Sequence, residues 1–274
     1  MTPKIVLATV VLALGALSTY AAAADENADA IMRRRDELIG TSRHWRDRYR
    51  RLWIFSSRGL KRDVEVCDVK VARDGWKTIG FITRPNSMSG TALLLEVTDW
   101  KAVSRLLYQP QYRRVRRLLP DDPHESFLDS DLSIHDLIVL SRMESWDRTD
   151  VDARLVGEEP IDGEPTYVLE LTAHARDAVY RRYVLHLAKK NLVERRIELY
   201  EDQDAPRRRV EFSDVRMVGS IPVPHHIEVE TPDFGTHSEI RVVEVAFDRG
   251  LSEGLFEASY LERGGCKAAS GISR

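Results

Sequence analysis

Tyr167-Val168-Leu169-Glu170-Leu171 and Arg182-Tyr183-Val184-Leu185-His186-Leu187 decide how this chain folds. In each stretch a tyrosine and two leucines recur at every second position. Successive side chains of a β-strand point to opposite faces, so each stretch reads as a strand with one apolar face. The pattern extends downstream. Val193, Ile197 and Leu199 share a phase, as do Ile227 and Val229. Between Glu239 and Phe247 the inward set changes from Ile240 and Val242 to Val243, Val245 and Phe247. A slip of one residue predicts a β-bulge, which bends a sheet. Turn signals at Asp162-Gly163, Lys190-Asn191, Asp202 to Pro206 and Val218 to Pro222 separate these strands at the spacing of an antiparallel meander.

Upstream, strands are expected over Leu52 to Phe55, Val64 to Val71, Trp76 to Ile82, Thr91 to Val97, Ala102 to Tyr108 and Tyr112 to Leu119. Asp74-Gly75 is a hairpin signal and Pro85 to Gly90 a turn. Ala28 to Ile39 reads as an amphipathic helix, with Ile31, Met32, Leu38 and Ile39 inward and Arg33, Arg34 and Arg35 on the wet side. Ser133 to Leu140 reads as a short helix, with Ser133 as N-cap and Asp136 in the first turn. The tally is about eleven strands and two or three helices. A single antiparallel sheet of that size must cover its apolar face, and these helices are too few to cover it flat. The expected fold is mainly β: one large curved antiparallel sheet, an unclosed half-barrel, with helices over its concave face and an apolar groove left between them.

Composition bounds the function. Met1 to Lys4 carries one positive charge, Ile5 to Leu17 is almost wholly apolar, and Ala21 to Ala24 is a run of small residues. That order predicts a secretory signal peptide over residues 1–24, followed by one domain over 25–264 and a tail over 265–274. The apolar run is shorter than the roughly 20 residues a spanning helix needs. The mature chain would then work outside the cytoplasm, where kinase and dehydrogenase cofactors are scarce. Losing Lys4 with the leader takes the formal charge from −3 to −4. A mildly acidic chain argues against nucleic acid as a partner. Cys67 and Cys266 are the two cysteines; in an oxidising compartment they form either one disulfide or two independent thiols.

No nucleophile elbow, zinc-protease helix or phosphate-binding loop is present, so neither an enzyme nor a cofactor is expected. Asp129, Asp131, His135 and Asp136 are the residue types for acid–base or metal work, yet capping or loop bracing accounts for them more economically. His225 and His226, adjacent in a strand, cannot easily share one ion; one surface and one half-buried histidine are expected. Arg113, Arg114, Arg116 and Arg117 read either as protection of a sheet edge or as contacts for anionic lipid or an acidic partner.

A family resemblance rests on these same residues. Phe81-Ile82-Thr83-Arg84-Pro85, Gly90-Thr91, Leu107-Tyr108-Gln109-Pro110, Arg113-Arg114-Val115-Arg116-Arg117 and Ser126-Phe127-Leu128-Asp129-Ser130-Asp131-Leu132 through Asp136-Leu137 follow one another in order. That order resembles the periplasmic outer-membrane lipoprotein-sorting proteins of the LolA-like group, in an uncharacterised branch. The resemblance runs from about Leu52 to Leu261. It implies an unclosed β-barrel with a helical lid over a hydrophobic cavity for acyl chains, and a periplasmic carrier that is not an enzyme. Leu94, Tyr108, Val115, Phe127, Leu137, Leu169 and Leu185 become candidates to line the cavity, against the plainer reading of packed core. Pro110, Arg113, Arg114, Arg116, Arg117, Ser126, Asp129, Ser130 and Asp131 become motif or partner-contact candidates. The implied partners are lipid or lipoprotein acyl chains and an envelope membrane protein. Asp129-Ser130-Asp131 departs from the group, which often has Gly before the Thr/Ser-Asp pair, and Arg43 to Arg51 is an extra basic segment without a place in the pattern. Two other functions stay open: a non-shuttling accessory module that docks on an envelope transporter or regulator through Arg113 to Arg117 and the Asp121-Asp122 turn, and a hydrolase using Asp131 and His135.

Overall fold

The computed structural model describes residues 27–39, 45–71, 75–98, 101–118, 123–127, 129–143, 151–175, 178–202 and 204–266. The expected leader, Asp74 of the hairpin signal, Asp121, Asp122, Leu128 and the chain after 266 lie outside the described residues. Helix α1 (Ala28–Ile39) comes first, then β1 (Asp47–Ser56), β2 (Lys61–Val71), β3 (Gly75–Arg84), β4 (Ala92–Thr98), β5 (Lys101–Gln109) and β6 (Arg114–Arg117). Helix α2 (Ile134–Met143) follows, and after it β7 (Val151–Ile161), β8 (Glu164–Ala173), β9 (Arg182–Ala188), β10 (Glu194–Tyr200), β11 (Arg208–Val218), β12 (Ile221–Thr231) and β13 (Thr236–Phe247). Short 3-10 turns at Glu253–Phe256 and Ala258–Tyr260 close the described chain.

All thirteen strands form one unclosed antiparallel sheet, in the order β6-β5-β4-β3-β2-β1-β13-β12-β11-β10-β9-β8-β7. The two strands beyond the expected eleven are β7 and β11. Both are rich in charge, β7 is mostly exposed and β11 mostly half-buried, so apolar alternation is faint in them. The phase slip read in β13 is a bulge: Arg51 of β1 faces Glu244, while Leu52 faces Val242. Expected helix and strand cores otherwise coincide with observed ones, except that the basic stretch before Leu119 pairs only over Arg114–Arg117.

Helix α1 buries Ala28, Ile31, Met32 and Arg35, one stripe at helical spacing. This corrects two expectations. Arg35 is 1% exposed, whereas Leu38 is 52% exposed. The stripe passes through Arg35 because Glu194 of β10 forms an ion pair with its guanidinium. The apolar part of the stripe packs on Tyr167, Leu169, Leu171, Tyr183, Leu185, Leu187, Ile197 and Leu199 from β8, β9 and β10.

The β1–β5 half of the sheet is buried on both faces. Tyr49, Cys67, Ile79, Phe81 and Leu94 pack under Leu255, Phe256, Tyr260, Leu261 and Cys266 of a C-terminal strap. Cys67 and Cys266 are joined as a disulfide with Cα atoms 6.2 Å apart. The alternate residues of these strands face the other way, toward α2. That arrangement explains the run Leu93-Leu94-Leu95, in which every residue is buried.

Candidate functional site

Between α2 and the hollow side of the sheet lies a cavity of about 320 Å³. Its apolar wall includes Leu52, Ile54, Val64, Val66, Ile82, Leu93 and Leu95 from β1–β4. Phe212, Ile227, Ile240 and Val242 come from β11–β13, and Leu137 and Leu140 from α2. Ile221, Pro222, Val223 and Pro224 stand half-buried at its edge. Strand alternation sets this wall: Val64 and Val66 face in while Cys67 faces the strap.

The serine–aspartate motif holds α2 in place over this space. Ser133 caps the helix, its Oγ accepting the Asp136 N–H at 3.0 Å while Asp136 accepts the Ser133 N–H at 2.8 Å. This reciprocal pair satisfies backbone donors that a helix start leaves unpaired. Asp136, wholly buried, also accepts the Tyr180 hydroxyl and Nε of Arg208. Burial, reinforced by the Asp136 charge, pushes the Tyr180 phenol far up, so it stays a donor. Asp131 accepts from the hydroxyls of Thr231, Thr236 and Ser238. Asp129, at φ +56°, pairs with buried Arg62 at 2.8 Å. Ser126 Oγ donates to the Ser130 carbonyl, and Ser130 Oγ to the Phe127 carbonyl. The motif is therefore a self-bonded loop that fastens the start of α2 to β2, β11, β12 and β13.

One part of the cavity wall is charged. Arg48 and Arg50 line it, and both hold Asp68 Oδ2, at 2.8 and 2.9 Å. Thr78 donates to the other oxygen at 2.8 Å. Burial alone would raise the Asp68 pKa, but Arg50, Arg48 and these donors outweigh it and hold the carboxyl below its ordinary range. Arg48 lies 4.7 Å from the centre of the Trp45 ring, and Lys70 Nζ lies 4.4 Å from it. Arg35 and Glu194 line the wall as an ion pair. Sequence reading missed Trp45, Arg48 and Arg50. Their signal was the basic segment before Leu52, whose arginines alternate in the phase of β1.

The expected lining residues divide three ways. Phe127 and Leu137 line the cavity. Leu94, Tyr108 and Val115 belong to the cluster under the strap, on the sheet face away from it. Leu169 and Leu185 are wholly buried against α1. Strand alternation accounts for the first displacement, since Leu93, Leu95 and Leu107 take the inward positions. Arg113, Arg114, Arg116 and Arg117 are exposed on or beside β6, an edge strand. Pro110 packs on Gly90, where φ is +84° and a Cβ would come within 3.1 Å of the proline ring.

The structure does not bring Asp131 to His135. Asp131 is taken up by hydroxyls, while the His135 ring lies 5.8 Å from that of Tyr180. Burial lowers the His135 pKa, Arg105 and His124 add to the effect, and Asp136 opposes it. His225 and His226 are both half-buried, which corrects the expectation of one on the surface. His226 meets Ser213 and Glu239, each at 2.9 Å, because its strand lies in the sheet between β11 and β13, which supply these two partners. Among the described residues no group of His, Cys, Asp and Glu is placed to hold a metal ion. No helix among them is long and apolar enough to cross a membrane.

A family model described as "Uncharacterized protein" matches residues 75–263, more than half the chain. No curated protein matches the sequence. Three solved structures are similar. One, from Vibrio parahaemolyticus, is a domain assigned to outer membrane lipoprotein sorting, with 21% identity, TM-score 0.74, and 85% of this chain and 97% of that one covered. A DUF1329 family protein from Desulfovibrio piger ATCC 29098 has 25% identity and TM-score 0.74 over 84% of this chain and 96% of that one. A LolA superfamily protein from Nitrosomonas europaea has 19% identity and TM-score 0.60 over 85% and 99%.

Proposed function

We propose, from the premise that this chain belongs to an uncharacterised family of the LolA-like group, that it is a periplasmic carrier for acyl chains of lipids or lipidated proteins. The observation that carries this reading is the cavity of about 320 Å³ with its leucine, isoleucine and valine wall. Ligand sites commonly begin near 300 Å³, and an apolar hollow of only about 150 Å³ already takes up benzene.

The mechanism is physical. An acyl chain entering the cavity leaves water for an apolar wall, at roughly 0.8 kcal/mol for each methylene buried. About ten methylenes supply some 8 kcal/mol before the cost of ordering the chain and protein. The motif loop fixes the N-terminal end of α2, so admission of a chain would fall to the rest of the helix and to the half-buried Ile221 to Pro224 edge. The proposed role is uptake and release without bond cleavage.

The test is native mass spectrometry of the protein taken from its own envelope, with displacement of an apolar fluorescent probe by fatty acid. Bound lipid and competitive displacement support the carrier. A protein that holds no lipid and binds no probe is instead the accessory module, with Arg113, Arg114, Arg116 and Arg117 as its contact surface. Turnover of a lipid ester that is lost in His135→Ala would revive the hydrolase.

A further inference from the structure

One end of the sheet carries cations without counter-charge. Arg113, Arg114, Arg116 and Arg117 are exposed, and none makes an ion pair or a side-chain hydrogen bond among the described residues. Exposure alone does not explain this. Every described arginine from Arg154 to Arg241 pairs with a carboxylate, the exposed Arg154 and Arg216 included. The chain as a whole has a formal charge of −3, so these four arginines run against its average.

Their placement describes the partner. β6 is the end strand of the described sheet and is 4 residues long. Arg116 stands opposite Leu107, which lines the cavity, so Arg114 and Arg116 lie on the cavity side of the strand. Val115 packs under the strap, so Arg117 lies on that other side. Tyr112, 70% exposed, and Arg113, at φ +47°, form the turn before the strand. Cations therefore project from both faces of one edge. A pocket ligand would meet one face, whereas a partner that meets the edge end-on reaches both. Strand addition is a poor match, because a short edge crowded with cations discourages it. A broad plane of negative charge needs no register and fits this arrangement.

We propose that the β6 edge docks on the headgroups of an anionic lipid bilayer, with the Tyr112 ring at headgroup level. The docking goes beyond the carrier reading, because it does not depend on what fills the cavity. It also gives a carrier its place of exchange. β5, about 5 Å from the docked strand, supplies Leu107 to the cavity wall.

The experiment is flotation of the intact protein with vesicles of phosphatidylcholine alone or of an equal mixture with phosphatidylglycerol. Each arginine near an anionic surface strengthens binding about fivefold, or roughly 1 kcal/mol. The expected preference for the anionic vesicles is at least about a hundredfold at low salt, and it disappears near 1 M salt, where the screening length falls to about 3 Å. Changing Arg113, Arg114, Arg116 and Arg117 together to Gln should weaken binding at least about fiftyfold, while the same four changed to Lys stay within about fivefold of the parent. Changing Arg154, Arg181, Arg216 and Arg241 to Gln alters the net charge equally and should leave binding within about threefold. A loss as large in this second set would assign the effect to net charge and defeat the β6 edge. Equal binding to both vesicles would defeat the docking. Retention on poly-glutamate without binding to either vesicle would make the partner an acidic protein and also defeat it. Displacement of the apolar probe by fatty acid is read in the same samples and should not change between the parent and the Gln variant. Probe displacement without vesicle binding overturns the docking and leaves the carrier, and vesicle binding without probe displacement does the reverse.

Discussion

Gly80→Phe tests the cavity from inside. Gly80 lies in the wall between Val66 and Leu93, its register partners on β2 and β4. A Cβ built there meets nothing closer than 3.9 Å, so the new side chain enters the hollow without a clash at its root. A benzene-sized ring fills an apolar hollow of about 150 Å³, nearly half of the 320 Å³ available. An acyl chain would lose room for about four methylenes, or some 3 kcal/mol at 0.8 each. That is more than a hundredfold in affinity. The same change buries an aromatic ring, worth about 1.5–3 kcal/mol, and removes a strand glycine that costs about 0.5–1 kcal/mol. Fatty-acid affinity should therefore collapse while the melting temperature holds or rises by a few degrees. The assay is probe displacement beside thermal unfolding of the same sample. A folded variant that binds fatty acid within threefold of the parent would show that chains bind elsewhere.

Three further outcomes follow from the bonding of the site. Asp136→Ala strips Arg208 and Tyr180 of their shared partner and should cost about 3–5 kcal/mol, against about 1 kcal/mol for Ser133→Ala; urea midpoints separate the two. Cys266→Ser opens a loop of 199 residues and should lose up to about 5 kcal/mol in the chain-entropy picture, with reduction of the parent protein giving a similar loss; a midpoint unmoved by both treatments would show that the bridge does not form. Stability should fall on acidification in two stages. His135 has a folded pKa below 6.5, so the unfolded chain takes its proton first and stability drops as pH falls past 6.5. Asp68 has a folded pKa below 3.8, so its contribution is whole above that value and drains below it. His135→Gln should reduce the first stage, which buried His186 shares, and Asp68→Asn the second, which Glu198 shares; unchanged slopes would contradict both assignments.

Much of this architecture was legible because strand alternation is a local signal. Tyr167, Leu169, Leu171, Tyr183, Leu185 and Leu187 face inward as their spacing says, and the bulge sits where the phase of β13 slips. The Ser133 and Asp136 cap was legible for the same reason, since both partners lie within one helical turn. β7 and β11 were not, because charged residues interrupt the apolar alternation in both. Nor was the choice of Leu93 and Leu95 over Leu94, which depends on a strap that arrives from more than 150 residues later in the chain. Arg35 misled because a buried ion pair with Glu194 forms only when α1 meets β10.

Every strand pairing in the sheet joins neighbours in sequence except one, β1 with β13. Two meanders can each zip up from short hairpins at small entropic cost, whereas the clasp between them must gather chain ends almost two hundred residues apart. A change at Leu52 or Val242 strikes the single long-range strand pairing among the described residues, the one that joins two ribbons into one vessel.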